Sequence, residues 1–374
     1  MGSPPDSGIE TIKEVMHVFD YIVIGAGSAG CVMAARLAEA HSVLLIEAGR
    51  ANPAWDFRLH MPAALSEVLT STRYNWAFET EPEPFLGQRN LYCPRGKVVG
   101  GSSSINGMIF VRGHAEDFNR WSEVYGASGW SYQDVLPFFK ASETKAGGDP
   151  DYRGHTGPLK ITNGDTSSPL CQAWLEAGES LGFGRTPDFN GETQEGFGPF
   201  DRTVADGLRQ SVARAYLSPK NNLGLSGLTI LTQAEVQHIA FDGDRAAGVQ
   251  VLVDGRLKSF QASREIILCA GAIKSPQVLM RSGIGSESAL KASGIECLAP
   301  RDEVGQNLQD HLEVYVQAAC PKPVSLYPST RGLRKLAVGA QWYLTKRGDG
   351  ATNHFHTGAF LRSGLDYGYP DLQF

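Results

Sequence analysis

The sequence has no run of about 18 apolar residues, and its mean hydropathy is −0.21, so no segment reads as a membrane-spanning helix. It also has no basic excess. Its 34 lysines and arginines stand against 40 aspartates and glutamates, a net charge of −6. That balance excludes a general nucleic-acid binder, because no surplus of cations exists to neutralise phosphates. Cysteines are few and scattered: Cys31, Cys93, Cys171, Cys269, Cys297 and Cys320 include no CxxC pair, which excludes zinc-knuckle and iron–sulfur spacings. Free buried thiols in a reducing compartment are expected instead. Residues 1–17 carry Pro, Asp and Glu and lack the apolar stretch of a secretory signal. His354 and His356 are the one close histidine pair and share a face if 353–361 is a strand. With no third ligand nearby, no metal site is expected.

Glycine is what the sequence has in excess, 43 of 374 residues, against an average of about 7%. With proline ordinary, the excess points to tight turns and close backbone approaches. The length suits about two domains.

The first place where glycine carries chemistry is FDYIVIGAGSAGCVMAARLAEAHSVLLIEAGR, residues 19–50. YIVI at 21–24 and VLLI at 43–46 have the continuous apolar character of buried parallel strands. A helix pattern fills the interval up to His41. Between strand and helix lies a GxGxxG, with Gly25 placed for a sharp turn, Gly27 for close approach of a pyrophosphate, and Gly30 for tight helix–strand packing. Glu47 ends the second strand 22 positions after Gly25, where an acid can accept ribose hydroxyls. Gly25, Ala26, Gly27, Ser28, Gly30, Glu47 and Ala48 are therefore expected to hold a dinucleotide, NAD and FAD being equally open on this motif. Further on, LTILT at 228–232 and alternating patterns at 234–239 and 247–253 read as strands, the last closed by an Asp254-Gly255 turn. EIILCAG at 265–271 repeats the strand-to-glycine pattern. Segments 147–150 and 221–224 read as loops.

The stretch RGKVVGGSSSINGM (95–108) places many backbone N–H groups in a small space. The segment 96–119 that overlaps it, together with GAIKSP…SGIG (271–285) and VGQNLQDH (304–311), resembles the signatures of the glucose-methanol-choline (GMC) oxidoreductases, in order and over essentially the whole chain from Phe19. RYNWAFETEPEP (73–84), QEGFGPFDRTV (194–204), NLQDHLEVYVQ (307–317) and KPVSLYP (322–328) are similar to the choline-oxidising branch of that family. The resemblance implies an α/β fold in which a Rossmann-like FAD/NAD(P)-binding domain (18–150 and 206–311) is interleaved with an α+β substrate-binding domain (151–205 and 312–374). It selects FAD as the cofactor and adds Val98, Ser102, Asn106, Gly107, Met108, Ile109 and Val236 to the residues expected to bind it. Where some relatives link the flavin covalently through a histidine, this sequence has Ile105, so FAD is expected to be non-covalent.

The implied reaction is oxidation of an alcohol, expected to be choline: a base takes the hydroxyl proton and a hydride passes to flavin N5. Glu313 matches the family's choline-binding glutamate, and Trp76 is a candidate aromatic wall for a quaternary ammonium. The family's catalytic histidine lies in an H-P-x-G-T-like segment that this sequence lacks, so no catalytic residue is assigned and the chain is expected to stop within the substrate domain. His311, His354 and His356 are weaker candidates for a base, and His311 reads as structural. A non-catalytic FAD-binding fragment, or another GMC chemistry such as a different alcohol oxidation, a lyase or a photodecarboxylase, stays open. The electron acceptor is not assigned, and a cytoplasmic location is expected, with peripheral attachment to the inner membrane left open.

Overall fold

The computed structural model describes residues 17–218, 225–364 and 366–374. The expectations for residues 1–16 and for the 221–224 loop lie outside them. The apolar run ahead of the first glycines forms β1 (His17–Ile24), and VLLI forms β2 (Val43–Ile46), with every residue buried. Between them α1 (Ser28–Leu37) turns Cys31, Ala34 and Ala35 inward. It stops four residues short of His41, because the chain turns there to enter β2 and Gly227 packs directly on the His41 carbonyl.

Four more strands complete a six-stranded sheet: β3 (Leu228–Leu231), β4 (Ala234–Asp242), β5 (Arg245–Val253) and β6 (Arg256–Leu268), in the order β3-β2-β1-β6-β5-β4. The β3, β2, β1 and β6 segments run parallel, while β6-β5-β4 form an antiparallel meander. The β5–β6 turn has Asp254 at φ 49° and Gly255 at φ 74°, the left-handed pair that a two-residue hairpin demands. At the carboxyl ends of the parallel strands Ile24, Ile46 and Leu268 lie side by side. After β6 the chain enters α2 (Gly271–Arg281), so two helices, α1 and α2, begin at the same edge of the sheet. In α/β sheets that crevice is where ligands bind.

Two three-stranded sheets lie outside this layer. In one, Glu143–Lys145 pairs with Leu159–Asn163, which pairs with Asp201–Arg202. In the other, Thr357–Leu361 lies between Gly196–Pro199 and Leu372–Gln373. The strand expected at 353–361 begins only at Thr357. His354 sits in the left-handed region at φ 64° and breaks the alternation, so His354 and His356 do not share a strand face.

A buried ionic network binds the first of these small sheets. Arg153 is 1% exposed and donates to Glu143 (2.8 and 3.2 Å), Asp188 (2.7 and 2.6 Å) and Asp201 (2.6 Å). Arg112 donates to Glu143 at 2.9 Å, and Lys145 pairs with Asp201. Three carboxylates thus face three cations. Burial pulls the Arg153 pKa down, but the hydrogen bond to Glu143 and the charges of Asp201, Glu143 and Asp188 more than reverse this. All six cysteines are free, and only Cys31 is buried, contrary to the expectation of a fully buried set.

Candidate functional site

A groove of about 490 Å³ runs along the carboxyl edge of the parallel strands. Gly25, Gly27 and Ser28 form its floor, Glu47 and Ala48 one wall, Ala234 and Val236 another, with Ser102 and the start of α2 closing it. Its glycines do distinct work. Gly25 has φ 96°, and a side-chain carbon there would lie 2.6 Å from the Cys269 carbonyl oxygen. At Gly30 such a carbon would fall 1.9 Å from the Gly25 carbonyl oxygen, so this position sets the helix–strand spacing. At Gly27 it would meet only the Cys269 carbonyl oxygen, at 3.9 Å, and would otherwise stand in the open groove. From the other side, a carbon at Gly101 (φ 52°) would lie 2.7 Å from Gly27 Cα. Two turns far apart in sequence are therefore pressed backbone to backbone around one cradle. With the first turns of α1 and α2 directed there, the cradle has the donors and the partial positive charge a pyrophosphate needs.

Glu47 is 6% exposed and accepts the Ala26 N–H at 3.0 Å and the Gly49 N–H at 2.8 Å. Burial pushes its pKa up to about 7, against the lowering effect of those two hydrogen bonds. Ala26, Gly30 and Val98 are buried behind the groove, with Val98 bridged to Arg50. Asn106, Gly107, Met108 and Ile109 follow Ser102 out of the groove. Their turn is held by Met108 at φ 61°, by the Ile109–Arg202 bridge, and by Asn353 Nδ2 donating to the Gly107 carbonyl at 2.8 Å. The Phe355 ring packs over Gly107, 3.4 Å from where a side-chain carbon would sit. Asn353, His354 and Phe355 also line a second, more apolar cavity of about 780 Å³. Ile105 points the other way, 1% exposed in a cluster with Leu59, Val68 and Tyr74.

The two residues expected on the substrate side are not brought together in either cavity. Trp76 lines the 490 Å³ groove, and its ring carries Lys97 Nζ at 4.1 Å and Lys274 Nζ at 4.2 Å. A third cation there would meet like charge. Glu313 is exposed in a segment without regular secondary structure, hydrogen-bonded by Tyr315; the Arg95–Asp310 ion pair at 3.2 Å ties that segment to the groove's rim. Of the histidines, His311 is exposed, whereas burial lowers the pKa of both His354 and His356. Among the described residues no group of three or more His, Cys, Asp or Glu is placed to hold a metal ion. The start of α2 (Gly271, Ala272, Lys274) also lines the groove, a role signalled in the sequence only by the strand-to-glycine repeat at 265–271.

The profile of the GMC oxidoreductase family matches residues 19–313. The chain belongs to this family. GMC oxidoreductases bind FAD, and the cradle, the buried acid and the apolar strand ends fit that cofactor. The oxygen-dependent choline dehydrogenase of Brucella anthropi is 49% identical over 358 residues, a match covering 95% of this chain and 64% of that protein. The chain thus spans less than two-thirds of the length of the choline dehydrogenases it matches. Among solved structures, pyridoxine 4-oxidase from Mesorbium loti superposes with a TM-score of 0.72 at 36% identity, over 76% of this chain and 55% of that one. An FAD-dependent oxidoreductase from Chaetomium thermophilum gives 0.79 at 26%, over 91% and 61%.

With Glu47 placed to take the ribose hydroxyls, FAD binding is expected to depend on pH. Without cofactor, Glu47 keeps its proton up to about pH 7, whereas its ordinary value is 4.5. Its contribution to stability is therefore present below 4.5 and lost as pH rises through about 7. Ribose hydroxyls donate best to the ionised form, so FAD affinity should rise across the same window and then level off. Titrations at a series of pH values should show that rise, and Glu47→Gln should flatten it.

Proposed function

We propose that the protein is an FAD-dependent alcohol dehydrogenase that oxidises choline to betaine aldehyde. The observation that carries this reading is the continuity of the site. The dinucleotide groove leads into the Asn106–Gly107 turn, which meets Phe355 and Asn353 beside the 780 Å³ cavity. The 49% identity to a choline dehydrogenase supports the choice of substrate. Gly25–Gly30 and the first turns of α1 and α2 would hold the pyrophosphate, Glu47 the ribose, and the Asn106–Gly107 turn the ring edge. Bound FAD supplies the acceptor for the hydride that leaves the alcohol carbon. Ile105 offers no nucleophile and its side chain is turned into a core, so the flavin is held non-covalently. Segments 18–150 and 206–311 are proposed as the cofactor domain and 151–205 with 312–374 as the substrate domain, working in the cytoplasm.

Glu313 is the proposed partner of the trimethylammonium group, which cannot donate ordinary hydrogen bonds. A carboxylate at about 4–5 Å gains a few kcal/mol at an effective dielectric near 20, and desolvation returns part of it, leaving about 1–3 kcal/mol. In the enzyme, Glu313→Gln should raise KM for choline roughly 5- to 150-fold. The uncharged isostere 3,3-dimethylbutanol should be little affected, and FAD content should not change. Equal losses for both substrates would make Glu313 structural. The reading as a whole is tested by anaerobic addition of choline, which should bleach the flavin absorbance; an unbleached flavin that also fails to turn over with an artificial acceptor would overturn it.

A further inference from the structure

Arg209 is fully buried, and among the described residues no carboxylate pairs with it. Among the described residues its side-chain hydrogen bonds all come from Nη1 and all go to one turn: the Ser103 carbonyl at 3.3 Å, the Asn106 carbonyl at 2.6 Å and Asn106 Oδ1 at 3.0 Å. Nε and Nη2 find no partner among the described residues. Burying a cation in this way is costly, so the fold keeps it against its interest in stability.

What Arg209 does to Asn106 follows from the chemistry of the two groups. A guanidinium only donates, and the Met108 N–H, 3.2 Å from the same Oδ1, also only donates. Between them they fix the carboxamide with its oxygen inward and its NH₂ outward. Asn106 is exposed, and its Nδ2 has no partner among the described residues; neither has the adjacent Gly107 N–H. The turn therefore presents two donors, side by side, at the end of the cofactor groove.

We propose that Arg209 is a positioning residue that holds Asn106 with its amide N–H outward, so that the turn offers only donors to the edge of the flavin. This rests on the FAD reading above. Donors fixed in advance stabilise the negative charge that the ring gains on reduction, whereas a flipped amide would set its oxygen against that charge.

The test is the flavin reduction potential of the flavin-loaded protein, measured with FAD content and a thermal melt. Arg209→Met should still hold FAD, with a potential lower by about 30 mV, the equivalent of roughly tenfold weaker binding of reduced relative to oxidised flavin. Arg209→Lys keeps a charged donor and should recover most of the difference. A folded, flavin-loaded Arg209→Met with an unchanged potential overturns the proposal. If that variant does not fold, Asn106→Asp takes its place, because a carboxylate presents only acceptors; its potential should fall at least as far, and no fall overturns the proposal. Absence of flavin from the unaltered protein would instead overturn the cofactor reading, and this inference with it.

Discussion

Gly27→Ala should fold normally and lose most of its affinity for FAD, whereas Gly30→Ala should fail to fold stably. The two glycines are three residues apart in one motif, and a methyl group meets opposite surroundings at each. At Gly30 it would fall 1.9 Å from the Gly25 carbonyl oxygen, a backbone atom that cannot step aside without parting α1 from β1. Overpacking of this kind costs about 3 kcal/mol or more. Gly27 has φ −77°, which alanine adopts freely, and its added carbon has nothing closer than 3.9 Å. The methyl would then occupy the place where a pyrophosphate must approach the backbone, at about 1–3 kcal/mol, or roughly 5- to 150-fold in affinity. Urea melts and flavin titrations on both variants separate the effects. If Gly27→Ala binds FAD as the unaltered protein does, the cradle is not the phosphate site.

Arg153→Met should destabilise the protein by about 3–5 kcal/mol without direct effect on FAD affinity. Its guanidinium satisfies Glu143, Asp188 and Asp201, of which Glu143 and Asp201 are almost fully buried. Removing the cation leaves three carboxylates facing, among the described residues, only the cations of Arg112 and Lys145. The uncompensated charge is what makes the substitution costly; replacing the whole network with apolar residues would cost far less. A urea midpoint unchanged by Arg153→Met would show that water or other groups already satisfy those acids. The network lies in the small sheets, so flavin titrations of the folded variant should match those of the unaltered protein.

The contrast between these two sites explains what the sequence made legible. The β1–α1–β2 unit announces itself because its rules are local: continuous apolar strands, glycines at fixed offsets, an acid at the end of β2. The Asp254-Gly255 hairpin is local in the same sense. Arg153 is not, because its partners lie 10, 35 and 48 residues away and no pattern relates them. The sequence suggests Trp76 as a wall for an ammonium group, yet the cations on its ring are this chain's own Lys97 and Lys274, and Lys274 reaches it only through the start of α2. The 353–361 segment alternates well enough to suggest a strand, but the left-handed His354 and the Asn353–Gly107 hydrogen bond pull its first residues toward the cofactor turn. Family resemblance supplied FAD where the motif alone left NAD open. Geometry then distinguished residues that line the groove from those, such as Val98 and Ile105, that support it from behind.

The central claim, a non-covalent FAD held in the groove above β1 and β2, is tested most directly by acid precipitation of the purified protein. The yellow chromophore should pass into the supernatant as intact FAD, one per chain, leaving a colourless pellet. Flavin retained in the pellet would contradict the account at Ile105, and a protein purified colourless that takes up no added FAD would contradict it at the cradle.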